Sequence, residues 1–394
     1  MSFVTFFCIV LSVLTVLRPV NSVKSCDFPA IFNFGDGNSD TGAFSSAFSG
    51  TPAFYGQTFF NGTAGRSSDG RLIIDFIATS LEKPFLNAYL DSLGTTFSHG
   101  ANFAQLLATI GVPKLVLPRD SPPFGFSPMY LGVQFSEFAQ FIERSQKVRT
   151  QSGVFARYMP KSESFAKALY TFDMGQNDLA QGLFTGMSID QIKQSLPDLV
   201  NSFTDILKNM YNLMGARTFW IHNTGPLGCY PYILTIIPTT DVDSAGCSNA
   251  VNELAQTFNS VLKKAVDQLR VDLPLAAITY VDIYSAYYSL YMEPQVYGFE
   301  LPLEACCGLG GAYNFGAATC GASATVNGSL VTAGPCENPS KRINWDGFTY
   351  TEAANQIIFG KLATGLYSDP PNSPKNACRK VSSQFNHGGL SILD

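Results

Sequence analysis

The chain has 394 residues, 46% hydrophobic and only 14% charged, which is enough apolar material for a large core in one domain or two. A net charge of −5 and a pI near 5.3, with no basic cluster, argue against nucleic acid as a partner.

The first segment, Phe3 to Leu17, is nearly all apolar and stops at Arg18-Pro19. It is short for a membrane span, and Val20-Asn21-Ser22 offers small residues at the −3 and −1 positions of a signal-peptidase site. Residues 1–22 therefore read as a signal peptide; the alternative is an N-terminal anchor. No later run reaches spanning length without charges or breakers. The mature protein is expected to be secreted, extracellular or vacuolar, without a membrane span.

Ile31 to Phe34 is a short apolar run ending in Gly35-Asp36, as a buried parallel strand would. Arg71 to Leu81 has Leu72, Ile73, Phe76, Ile77 and Leu81 at a helical period. Ala101 to Ala104 reads as a strand. Val133 to Val148 places Val133, Phe135, Phe138, Phe141 and Ile142 on one helical face. Ala168 to Phe172 is a strand running into Gly175-Gln176-Asn177-Asp178. A helix over Leu196–Met214, a strand over Thr218–His222, a helix over Val251–Leu269, a strand over Ala276–Val281 and a helix over Thr351–Ala363 follow. This alternation predicts a three-layer α/β/α fold with a mainly parallel sheet, whose functional loops lie at the strands' C-terminal ends. Glu304 to Asn344, rich in Gly and Cys, reads as a stapled loop region. Residues 367–394, opening with Ser368-Asp369-Pro370-Pro371, read as a flexible tail.

Cys8 lies in the signal, and eight cysteines remain; an even count in a secreted chain points to disulfides. A local Cys229–Cys247 bridge is expected, with Cys26 and Cys378 tying the ends together. Cys306, Cys307, Cys320 and Cys336 form a cluster whose connectivity the sequence leaves open. No pair has metal-finger spacing, and no cofactor is called for. Asn61-Gly62-Thr63 and Asn327-Gly328-Ser329 are glycosylation sequons in Gly-rich surroundings, whereas Asn338 is excluded by Pro339.

Four blocks carry the chemistry. They are Phe28 to Gly42, containing Gly35-Asp36-Gly37-Asn38-Ser39; His99-Gly100-Ala101-Asn102-Phe103-Ala104; Gly175-Gln176-Asn177-Asp178; and Trp345-Asp346-Gly347-Phe348-Thr349. Together with His222 to Cys229 and Glu352-Ala353-Ala354-Asn355, these resemble the plant GDSL esterase/lipase family of the SGNH hydrolase superfamily, nearest its nodulin and fucosidase-like branch. The resemblance runs from about Phe28 to about Leu366 and implies one domain, placed at residues 23–366. It implies a serine nucleophile in the first block and a histidine base in the last, oriented by the preceding aspartate. The oxyanion hole implied combines the serine N–H, a second-block glycine N–H and the third-block asparagine side chain.

The chain departs from that pattern where the chemistry occurs. Gly37 stands at the nucleophile position, Thr349 at the base position and Leu107 at the oxyanion glycine; Asn177 and Asp346 remain. Ser39 lies near Gly37, but the turn aims the nucleophile and Ser39 should point elsewhere. His99 and His222 sit in structural segments and His387 in the tail. The expectation is a protein that has lost serine ester hydrolysis and keeps a cleft for an acyl, glycan or specialised-metabolite ligand, or a partner. Two alternatives stand beside it: non-serine chemistry through Asp36, Asp346, Asn177 and Thr349, or residual ester hydrolysis through Ser39.

Overall fold

The computed structural model describes residues 25–48, 52–116, 125–151 and 153–378. The segment read as a signal peptide, Cys8 and His387 lie outside the described residues.

Five parallel strands form the sheet: β1 (Ile31–Gly35), β2 (Gly100–Asn102), β3 (Leu169–Asp173), β4 (Thr218–His222) and β5 (Ala277–Val281). A short sixth strand, β6 (Ser368–Asp369), pairs antiparallel with β5, giving the order β6-β5-β4-β3-β1-β2. The principal helices are α1 (Ile73–Ser80), α2 (Leu131–Thr150), α3 (Gln176–Phe184), α4 (Ile189–Met214), α5 (Asn249–Asp272), α6 (Ile283–Met292) and α7 (Glu352–Ala363).

The two sheet faces differ in chemistry because side chains alternate along each strand. Phe32, Phe34, Tyr170, Phe172 and Phe219 point to one face. There Phe138 and Phe141 of α2 and Phe203 of α4 pack onto them, with Phe32 and Phe165 stacked at 5.2 Å. Each fully buried ring contributes about 1.5–3 kcal/mol. The other face carries polar residues that satisfy one another. Thr171 Oγ1 donates to Asn33 Oδ1 (2.7 Å), Asn33 Nδ2 to Asn102 Oδ1 (2.7 Å), and Asn102 Nδ2 to the Ser39 carbonyl (2.6 Å). Helix α1 covers this face, and α7 packs beside it.

The predicted strands and helices are present with small boundary shifts. Helix α4 begins seven residues before the predicted Leu196, because Ser188 and Gln191 form a reciprocal cap and the helix continues through Pro197. Helix α6 was not anticipated. The Glu304–Asn344 region contains short strands, among them a hairpin of Ser323–Val326 and Ser329–Thr332 turning at Asn327-Gly328, both at positive φ.

The tail needs correction. Far from being loose from residue 367, the chain stays placed through Cys378: β6 extends the sheet, and Arg270 and Lys263 hold Asp369. Cys378 is bonded to Cys26, whose N–H donates to the Lys375 carbonyl at 2.7 Å. Covalent and ionic ties replace the apolar periodicity by which a sequence would signal order. The other bridges are Cys229–Cys247, Cys306–Cys336 and Cys307–Cys320.

Candidate functional site

At the C-terminal end of β1 the chain turns through Asp36-Gly37-Asn38. The turn is held from α2, where Gln134 accepts from the Gly35 N–H (3.1 Å) and donates to the Gly35 carbonyl (2.9 Å). Asp40 anchors the turn from the other side. Its carboxylate accepts the N–H groups of Gly42, Ala43 and Phe44, and that of Leu106 at 2.8 Å. One buried side chain thus joins the Gly37 turn to the 105–108 segment. Burial pushes the Asp40 carboxyl above its ordinary range, against the pull of those four donors.

Gly37, Leu106, Leu107, Gln176, Asn177, Tyr232, Phe348 and Thr349 surround one recess. The predicted positions therefore come together, with Asp346 directly behind Thr349. The recess, however, holds only about 10 Å³, roughly one water. A Cβ built on Gly37 would overlap Leu106 Cδ1 and lie 3.4 Å from Thr349 Cγ2. The space a nucleophile side chain needs is occupied by a leucine that the sequence reading did not single out.

Leu107 has φ of 63°, a left-handed conformation that suits glycine and costs a leucine about 1–2 kcal/mol. The backbone thus keeps a glycine-like path without the glycine. Among the described residues neither the Gly37 nor the Leu107 N–H has a hydrogen-bond acceptor. Asn177 is committed elsewhere: its Nδ2 donates to the Ala108 carbonyl (2.8 Å) and to Asp36 Oδ2 (3.3 Å). Asp36 is held well above the usual carboxylate range, first by burial and then by the Asp173 and Asp178 carboxylates nearby. Asp178 accepts the N–H groups of Ile110 and Gly111 and is pushed up to about 7 by burial.

Asp346 has found other partners. Its Oδ1 accepts from the Phe348 and Thr349 N–H groups and from Thr349 Oγ1, each at 2.9 Å. Its Oδ2 accepts from the Tyr55 hydroxyl at 2.8 Å. Thr349 therefore caps the aspartate and offers it no base to orient. Tyr55, 291 residues away in sequence, carries no local signal that would have exposed this role. Asp40, which caps the turn that follows it, was likewise not singled out in the sequence.

Ser39 is 3% exposed and lines an interior void with Asn33, Thr171 and His222, apart from the recess. His222 is buried, its Nε2 accepting from Trp220 Nε1 at 3.0 Å and its Nδ1 3.4 Å from Asp173 Oδ2. His99 is exposed, with Nδ1 3.4 Å from the Pro29 carbonyl. Neither histidine lines the recess. Asn61 and Asn327 are exposed and sit in left-handed turns, at φ of 56° and 50°. Among the described residues no cluster of His, Cys, Asp and Glu could hold a metal, and no helix is long and apolar enough to cross a membrane.

In this parallel α/β/α sandwich the loops converge at the C-terminal edge of β1 and β3, where such sheets place their sites. The chain matches the GDSL-like Lipase/Acylhydrolase family over residues 31–362, and it belongs to that family. It is 53% identical over 372 residues to an esterase of Hevea brasiliensis, covering 94% of each chain. It is 51% identical over 370 residues to GDSL esterase/lipase ENOD8 of Medicago truncatula, covering 94% of this chain and 95% of that protein. A solved phospholipase A1 from Streptomyces albidoflavus matches at 12% identity with a TM-score of 0.34, over 73% of this chain and 91% of that one.

Proposed function

We propose that this chain is a secreted, glycosylated GDSL-family protein that no longer hydrolyses esters through a serine. The observation that carries this reading is that Gly37 and Thr349 face one recess whose lining, among the described residues, holds no serine and no histidine. Loss of nucleophile or base from such a triad costs on the order of 10⁶-fold in kcat, and losing both costs little more. Commitment of Asn177 to Ala108 and Asp36 supports the same reading, since a lost oxyanion donor removes about a further 10²–10³-fold. Ser39 does not rescue the reaction, because it opens onto a different, interior void.

The ligand role of the recess is narrower than expected. With room for about one water, it admits an acyl, glycan or metabolite group only if the Leu106 side chain swings away. Thr349 and Asp346, hydrogen-bonded to each other, are not arranged for acid–base work on such a group. The test is a serine-directed organophosphonate probe on the purified protein, alongside a thermal-shift panel of acyl esters and plant metabolites. No labelling and no ester turnover are expected; stoichiometric labelling of any serine would falsify the reading.

A further inference from the structure

A cavity of about 780 Å³ lies at the other end of α2 from the Gly37 turn. Gln134 touches Gly35, whereas Ser145 and Val148 line this cavity. Eleven to fourteen helical residues separate the two, or roughly 16–21 Å. The floor is apolar and buried or half-buried, formed by Phe97, Phe141, Val148 and Met159. The wall is built from fixed parts. Arg149 Nη1 donates to the Ala156 (2.7 Å) and Met159 (3.0 Å) carbonyls, and the Phe97 N–H donates to the Tyr158 carbonyl (2.8 Å). At the mouth Phe155 is 67% exposed.

The polar lining restricts the ligand. Among the described residues it consists of the Ser92, Thr95 and Ser145 hydroxyls, the Tyr89 and Tyr158 phenols and Arg144, with no carboxylate or carboxamide; the Tyr158 hydroxyl already accepts from Arg157. The Ser145 hydroxyl already donates to the Ile142 carbonyl. A sugar would find no carboxylate or carboxamide here to accept from its hydroxyls, only side-chain hydroxyls. Arg144 is exposed, bonds only the Gln140 amide oxygen, and makes no ion pair among the described residues. In a chain of net charge −5 an arginine without a carboxylate, over an apolar cavity, is complementary to one anionic group on an apolar body.

We propose that this cavity binds a long-chain fatty carboxylate, its chain against Phe97, Phe141 and Met159 and its carboxylate on Arg144. The proposal stands apart from the loss of esterase chemistry, since it uses none of the Gly37 recess. The experiment is fluorescence titration of the whole secreted protein with a polyene fatty acid and with its methyl ester. Saturable binding is expected, with the acid preferred about tenfold, the size of one charge-assisted hydrogen bond at a part-exposed site. Arg144→Gln, a surface change, should erase that preference. Val148→Trp should weaken binding at least tenfold by filling the floor; if it does not fold, Phe155→Ser at the exposed mouth should weaken it several-fold. Absence of saturable binding, equal affinity for acid and ester, or retention of the preference in Arg144→Gln would each overturn the proposal. So would binding to anionic vesicles without binding of the monomeric acid.

Discussion

At residue 37 the missing hydroxyl is only part of the difference. Gly37→Ser would place Cβ against Leu106 Cδ1, so the new side chain meets a leucine before it meets a substrate. The sequence comparison pointed to Leu107 as the obstacle, yet Leu107 already follows a glycine-like backbone with its N–H unpaired. Restoration should therefore depend on Leu106. Gly37→Ser with Thr349→His is expected to be inert toward a short-chain chromogenic ester, and adding Leu106→Ala should produce measurable hydrolysis. Adding Leu107→Gly instead should do much less. If the Leu107→Gly triple variant outperforms the Leu106→Ala one, Leu106 has been given the wrong role. A second residue-scale prediction concerns Tyr55. Its hydroxyl is the donor to Asp346 Oδ2 inside a buried site, and Tyr55→Phe leaves that oxygen with one partner fewer. A loss of about 1–3 kcal/mol is expected by denaturant unfolding, and an unchanged midpoint would show that the contact carries no stability.

The elements were largely legible because the dominant signals are local. Thr218–His222 forms a strand where four apolar or β-prone residues, Thr218 to Ile221, follow a long amphipathic helix, and Phe138 and Phe141 face the sheet as their spacing requires. The site was legible as a set of positions, since each block follows a strand or precedes a helix. Its closure was not, because Leu106 fills the recess by a rotamer and a loop path that no spacing rule encodes. The Tyr55–Asp346 bond and the Asp40–Leu106 bond join distant segments and have no periodicity to read. The C-terminal segment was misread for a related reason: β6 is two residues long and its order comes from Asp369 ion pairs and the Cys26–Cys378 bridge. That bridge closes a loop with a sequence separation of 352. Replacing both cysteines with serine should cost about 2–5 kcal/mol, and limited proteolysis should then cut between residues 366 and 378 first. Equal protease resistance of both forms would show that β6 and its ion pairs hold the segment unaided.

Across the whole molecule the carboxyl groups are arranged to favour acid. Burial raises Asp36, Asp40, Asp69 and Asp346 above their ordinary range, and pushes Asp178 and Glu137 to about 7. A carboxyl with a raised folded-state pKa binds its proton more tightly in the folded than in the unfolded chain. Its stabilising contribution is fully present below about pH 4 and is lost as pH rises through the folded value. Asp272, Glu300 and Asp369 are lowered by lysine and other surface partners, so they work in the opposite sense, losing stability only as pH falls below about 4. The two sets together place the stability maximum near pH 4–5, with a decline toward pH 8. Glu137 offers the cleanest check. It is half-buried on α2, burial alone raises it, and among the described residues it has no hydrogen bond or ion pair to lose. Glu137→Gln removes the cost of ionising this group, so its Tm should exceed that of the unaltered chain at pH 8 and match it at pH 4.5, at constant ionic strength. Asp178, which also keeps some exposure, is a poorer probe because Asp178→Asn disturbs the Ile110 and Gly111 donors. A Tm that climbs steadily from pH 4.5 to pH 8 in the unaltered chain would mean that the lowered surface groups outweigh the raised buried ones, and the acid-favouring balance would have to be abandoned.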